Sequence, residues 1–156
     1  MCFTLLISCS NDSPSNNEPE NKIVIQYSRF RGAKQVGFKS VEVVPLIEQI
    51  SPNETIDLLT IKARIIETNH LINFTVYANK TGSNALYKNQ LYFRDGNNGT
   101  IGGAPFNADG PIKFNVLKNN GSSFEAVFSG RLVHALNNDT DVIYLSISHG
   151  LAKFDY

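Results

Sequence analysis

From Lys22 to the C-terminus, apolar and polar residues alternate with a period of two, and turn-forming residues interrupt the alternation at short intervals. Successive side chains of a strand point to opposite faces, so the pattern predicts half-buried strands. Ile23, Ile25 and Tyr27 mark a first strand, and Val41 and Val43 a second that Pro45 closes. Leu46 to Ile50, just ahead of Ser51-Pro52, reads as one short helical turn. Leu59, Ile61, Ala63 and Ile65 share a face opposite Thr60, Lys62 and Arg64, and β-branched residues favour strand over helix for 54–67. Asn69-His70 turns the chain into Ile72, Phe74, Val76 and Ala78, and Lys80 to Asn84 ends that strand. Residues 86–93 predict another strand, followed by a glycine-rich loop from Asp95 to Gly110.

The C-terminal third carries the plainest pattern. Ile112, Phe114 and Val116 alternate with Lys113 and Asn115, and Asn120-Gly121 supplies a hairpin turn whose two central residues need positive φ. Phe124, Ala126, Phe128 and Leu132 then face the core, with a bulge expected at Gly130. Asn137 to Thr140 turns the chain into Ile143, Leu145 and Ile147, which completes a three-stranded meander. The fold expected for residues 22–156 is all-β: a single β-sandwich or small barrel of seven to eight short antiparallel strands.

The start of the chain is different in kind. Residues 1–8 are mostly apolar and too short to span a bilayer, and polarity changes abruptly after Cys9. Leu6-Ile7-Ser8-Cys9 resembles the lipobox of bacterial lipoproteins: branched apolar, permissive, small, then the acceptor cysteine. The resemblance implies a signal peptide cleaved between Ser8 and Cys9, and acylation of Cys9 with diacylglycerol and a fatty acid such as palmitate. Several acyl chains anchor a protein stably where one binds reversibly. No basic residue precedes the apolar run, so the signal peptide reads as truncated: either the true start lies upstream of Met1 or the gene model is cut short. Residues 9–21 are then the lipidated cysteine and a disordered tether, nearly free of apolar side chains and interrupted by Pro14 and Pro19.

A second resemblance covers the end of the chain. Phe124-Glu125-Ala126-Val127-Phe128-Ser129-Gly130-Arg131-Leu132 with Leu145 to Phe154 is similar to the close of small Bacteroidota-type envelope lipoproteins. That likeness implies the cell envelope, most naturally the outer membrane, and brings no activity with it.

Charge and thiols narrow the functions. Fourteen basic and fourteen acidic side chains balance, so the basic excess that neutralises nucleic-acid phosphates is missing. The two cysteines are Cys2 and Cys9, and lipidation of Cys9 leaves no thiol for a disulfide, a zinc site or a nucleophile. His70, His134 and His149 have no metal-ligand spacing, although His134 and His149, on adjacent strands, make a zinc pair with Asp141 conceivable. No metal or other cofactor is expected. Ser148 and His149 are neighbours on a strand and should point to opposite faces, which argues against a serine hydrolase. Asp95-Gly96-Asn97-Asn98-Gly99 lacks the acidic ligands and closing glutamate of a calcium loop. The N-x-S/T triplets at Asn53, Asn73, Asn79, Asn98, Asn120 and Asn138 follow from an Asn-rich composition.

Two weak binding signals remain. Tyr87 and Tyr92 are candidates to stack on sugars. Arg29 and Arg31, with Phe30, Lys34 and Lys39, form a local basic cluster suited to acidic glycans or headgroups, or else a solvated hairpin end. The expected function is a lipid-anchored envelope protein whose β-domain binds a protein or glycan partner or serves a structural role. The alternative is an extracytoplasmic hydrolase with a site dispersed along the chain.

Overall fold

The computed structural model describes residues 22–29, 32–96, 106–136 and 141–156. Three quarters of these residues are strand, and none is helical. The strands are β1 (Ile23–Ser28), β2 (Ala33–Phe38), β3 (Glu42–Ser51), β4 (Glu54–Ile65), β5 (His70–Tyr77), β6 (Leu86–Arg94), β7 (Phe106–Ala108), β8 (Lys113–Asn119), β9 (Ser123–Leu136) and β10 (Asp141–Asp155). All pairings are antiparallel, in the order β2-β1-β10-β9-β7-β6-β5-β4-β3, with β8 also on β9. The single sheet curls into a half-barrel.

The long strands organise this curl. β9 pairs along its whole length with β10, while its other edge is shared between β8, opposite Phe124 to Ser129, and β7, opposite Leu132 and Val133. The concave face is apolar: Phe74 on β5 meets Phe114, Phe124 and Phe128 across the interior, with ring centroids 5.2, 6.0 and 6.0 Å away. β5 is not paired with β8 or β9, so these rings join parts of the curled sheet that no backbone ladder connects. Aromatic pairs at such distances add about 0.5–1.5 kcal/mol each beyond the burial of their area.

The meander β8-β9-β10 forms as its alternation requires, and Phe114, Val116, Phe124, Ala126, Phe128, Leu132, Leu145 and Ile147 are all buried. Details of it differ from expectation. Only Gly121 takes positive φ in the β8–β9 turn. The Asn120 side chain instead accepts from the Ser122 and Ser123 amides, so an Asx turn sets a longer loop. Gly130 is not a bulge; it keeps register with Ile147, and its lack of a Cβ admits the Ile112 side chain. The bulge lies on the partner strand, where Ser148 and His149 together oppose Ser129. Beside it, a Cβ on Gly150 would overlap the Phe128 ring.

The N-terminal half departs further. Ten strands form rather than seven or eight, and β9 and β10 are 14 and 15 residues long. β2 lacks a clean alternation, and its solvent-facing stretch hid it. The helical turn expected at Leu46–Ile50 is strand, because β3 runs straight through Pro45. β3 is an edge strand, where a residue without an N–H is tolerated. β7 lies inside the stretch read as a loop.

Candidate functional site

Three polar features stand out against the apolar interior. The first is a charged cluster at the β1–β2 and β5–β6 strand ends. Asp95, the residue after β6, is 2% exposed. Its carboxylate accepts a short hydrogen bond from the Tyr27 hydroxyl and faces Arg29 Nη1 and Lys34 Nζ, each at 3.5 Å. His70 Nε2 lies 3.6 Å from Asp95 Oδ1 and 3.4 Å from the Tyr27 oxygen. His70 Nδ1 bonds to Thr68 Oγ1 at 2.8 Å. The Arg29 guanidinium also lies over the Phe106 ring, and Phe93 packs edge-on against Tyr27.

Burial governs the protonation states here. It pushes the Tyr27 hydroxyl well above its usual range, and its hydrogen bond to Asp95 adds to the shift. Burial likewise lowers the His70 pKa, a change that Asp95 opposes and Lys34 reinforces. Both ring nitrogens of His70 are engaged within the cluster. The cluster reads as a polar clamp between β1–β2 and β5–β6.

The second feature arises from the largest irregularity in the sheet. Phe74 pairs with Leu91 and Val76 with Leu86, so residues 87–90 oppose Thr75 alone. Lys88 and Asn89 both take positive φ, 46° and 55°, a conformation uncommon for residues other than glycine and better tolerated by Asn than by Lys. The bulged segment folds over the convex face. Tyr87 packs edge-on against Tyr77, and Lys88 reaches Glu48 on β3 at 2.7 Å. That contact holds the Glu48 carboxyl below its usual range. Asn89 donates to Gly110 O at 2.6 Å and accepts from the Ile112 amide at 3.0 Å, which fixes the β7–β8 link.

Between this bulge and β5, β6 and β7 lies a groove of about 420 Å³. Its lining includes four side-chain amides, those of Asn73, Asn89, Gln90 and Asn107, the hydroxyls of Thr75 and Tyr92, and Lys88, whose ammonium is paired with Glu48. Asn73 donates to the Tyr92 oxygen at 2.8 Å, leaving the Tyr92 proton available to donate. The side chains of Gln90 and Asn107 make no hydrogen bond among the described residues, and no carboxylate lines the groove.

The third feature is a groove on the convex face of β8-β9-β10, lined by Lys113, Asn115, Ser129, Ser148 and His149 among others. The β10 bulge is responsible, because it brings Ser148 and His149 to the same groove. The expectation that they point to opposite faces fails for that reason. Ser148 donates to Gln26 O at 3.1 Å, not to His149.

The residues singled out from sequence separate clearly. Tyr92 lines the amide groove. Tyr87 is 3% exposed, between Tyr77 and the Lys88 ammonium, so it offers no face to a sugar. Arg29 is withdrawn into the Asp95 cluster and is not a solvated hairpin end. Arg31 and Phe30 lie outside the described residues, as do Cys9, residues 97–105 and residues 137–140, where the sequence predicts a turn. His134 pairs with Ile143, while His149 sits opposite Ser129, five residues along β9 and about 17 Å away, so the imagined zinc pair does not assemble. Among the described residues no three His, Cys, Asp or Glu side chains converge on a metal position. The amide groove escaped the sequence reading because a bulge creates it; Lys88-Asn89-Gln90 inside a strand pattern was the one local sign.

No family model matches the chain, and neither a curated protein nor a solved structure does so.

Proposed function

We propose that the chain is a lipid-anchored protein of the bacterial cell envelope, held by Cys9, whose β-domain binds an uncharged glycan in the amide-lined groove. The observation that carries this reading is the chemistry of the lining. A side-chain amide presents a donor and an acceptor side by side, which suits the vicinal hydroxyls of a sugar. Gln90, Asn107 and the Tyr92 hydroxyl are the groups with capacity to spare. Rigidity supports it too, since Asn89 and the Lys88–Glu48 pair fix the bulge before any ligand arrives. The Leu6-Ile7-Ser8-Cys9 segment supports the anchor.

A glycan array probed with the full chain, followed by calorimetry on the hits, tests the binding. Asn107→Ala and Gln90→Ala should each weaken it about tenfold, a shift of ~1.4 kcal/mol. Absence of any glycan hit, or hits indifferent to both changes, would refute the reading. The anchor is tested separately: Cys9→Ala, expressed behind a complete signal sequence, should lose fatty-acid labelling and membrane association.

A further inference from the structure

The β10 bulge does more than disturb register. Ile147 pairs with Gly130 and Gly150 with Phe128, so Ser148 and His149 share the space opposite Ser129. Both are exposed, and both line the same groove of about 470 Å³. On the far side of β9, Lys113 is the direct partner of Ser129. Three adjacent strands therefore set Lys113, Ser129 and His149 in one row about 10 Å across, from strand spacings near 4.8 Å. Ser83 and Asn115 add two more polar side chains.

The charge balance of this groove is one-sided. No carboxylate lines it. Among the described residues, Arg29 and Lys34 face Asp95, Lys88 faces Glu48 and Arg131 faces Asp109, while Lys113 is one of several lysines outside any of these ion pairs. The side chains of Lys113 and His149 have neither an ion pair nor a hydrogen bond among the described residues, although both backbones belong to strand ladders. Lys113 contributes three N–H donors and no acceptor, and the hydroxyl of Ser129 and amide of Asn115 donate as well. A donor-rich, carboxylate-free row has an anion as its natural complement.

We infer that this groove is a second binding site, one that takes an oxyanion group through the Lys113 ammonium, the His149 ring and the Ser129 hydroxyl. It does not depend on the glycan reading, because it shares no lining residue with the amide groove. The two are nonetheless neighbours. Asn89 lines the first, Ile112 lines the second, and the hydrogen bond between them fixes the ridge that separates them.

The test is titration of the full chain, in a buffer free of oxyanions, with inorganic phosphate and separately with glucuronate, followed by amide chemical shifts. Saturable shifts confined to residues around 113, 129 and 149 are expected with at least one probe. Phosphate alone would assign a phosphate group, glucuronate alone a carboxylate, and both a general oxyanion site. Lys113→Gln and His149→Gln should each raise the dissociation constant about tenfold, and Asn107→Ala in the other groove should leave it unchanged. All three positions are on the convex surface, and a far-UV spectrum verifies that the variants fold. No saturable shift with either probe overturns the inference, as does binding that survives both Lys113→Gln and His149→Gln.

Discussion

The aromatic cluster around Phe74 and the charged cluster around Asp95 are both withdrawn from water, but different physics holds them. Phe74, Phe114, Phe124 and Phe128 come together by shape and apolar area, from strands whose alternation already turned them inward. Tyr27, His70 and Asp95 also lie at inward positions or strand ends, yet they bring hydroxyl, imidazole and carboxylate groups that must satisfy one another. The first cluster tolerates any apolar residue of similar volume. The second is specified partner by partner, since a buried polar group without its bond costs more than the bond contributes.

The sharpest way to break the first cluster is Phe128→Ala. Truncating an aromatic ring in a packed core costs about 3–5 kcal/mol. Denaturant unfolding should report that loss, and a cost below ~1 kcal/mol would contradict the buried position. On the charged side, Asp95→Asn removes the charge that Arg29 and Lys34 face. Breaking a fully buried pair costs more, but Lys34 is 42% exposed, so we expect about 2–3 kcal/mol. A double-mutant cycle with Tyr27→Phe should give a coupling of about 1–3 kcal/mol, whereas simple additivity would show that the cluster does not act as a unit.

A subtler probe of the aromatic side is Gly150→Ala, whose methyl would overlap the Phe128 ring. Overpacking of this kind costs about 1–3 kcal/mol. Pairing the change with Phe128→Leu should recover part of the loss, which a backbone-propensity effect would not allow.

The smallest expected effect concerns His70. Its folded pKa is lowered, chiefly by burial, so the folded state holds the ring neutral while the unfolded state protonates near the ordinary value. Stability from this group is complete above the unfolded pKa of about 6.5 and falls as pH drops toward the folded pKa. Chemical unfolding followed across that window should show the decline, and His70→Gln should remove that part of it. Because His70 belongs to the clamp, its substitution also disturbs structure.

The pattern of the chain determined that the domain is all-β and antiparallel, and it placed the β8-β9-β10 core residues on their face. A period of two leaves no other economical way to bury Phe114, Phe124, Phe128 and Leu145. Tertiary structure decided everything that depends on a break in that period. The bulge at 87–90 and the bulge at 148–149 each add residues to one strand and none to its partner, so their existence is a property of pairing. Both grooves are built on these two irregularities. The clamp is equally non-local: Tyr27 and Asp95 are 68 positions apart, and nothing near either residue in the sequence names the other. Alternation is written into neighbouring residues and survives inspection one strand at a time. A bulge, a groove or a buried ion cluster exists only once two strands have chosen their register, because the free energy that stabilises it belongs to the pair.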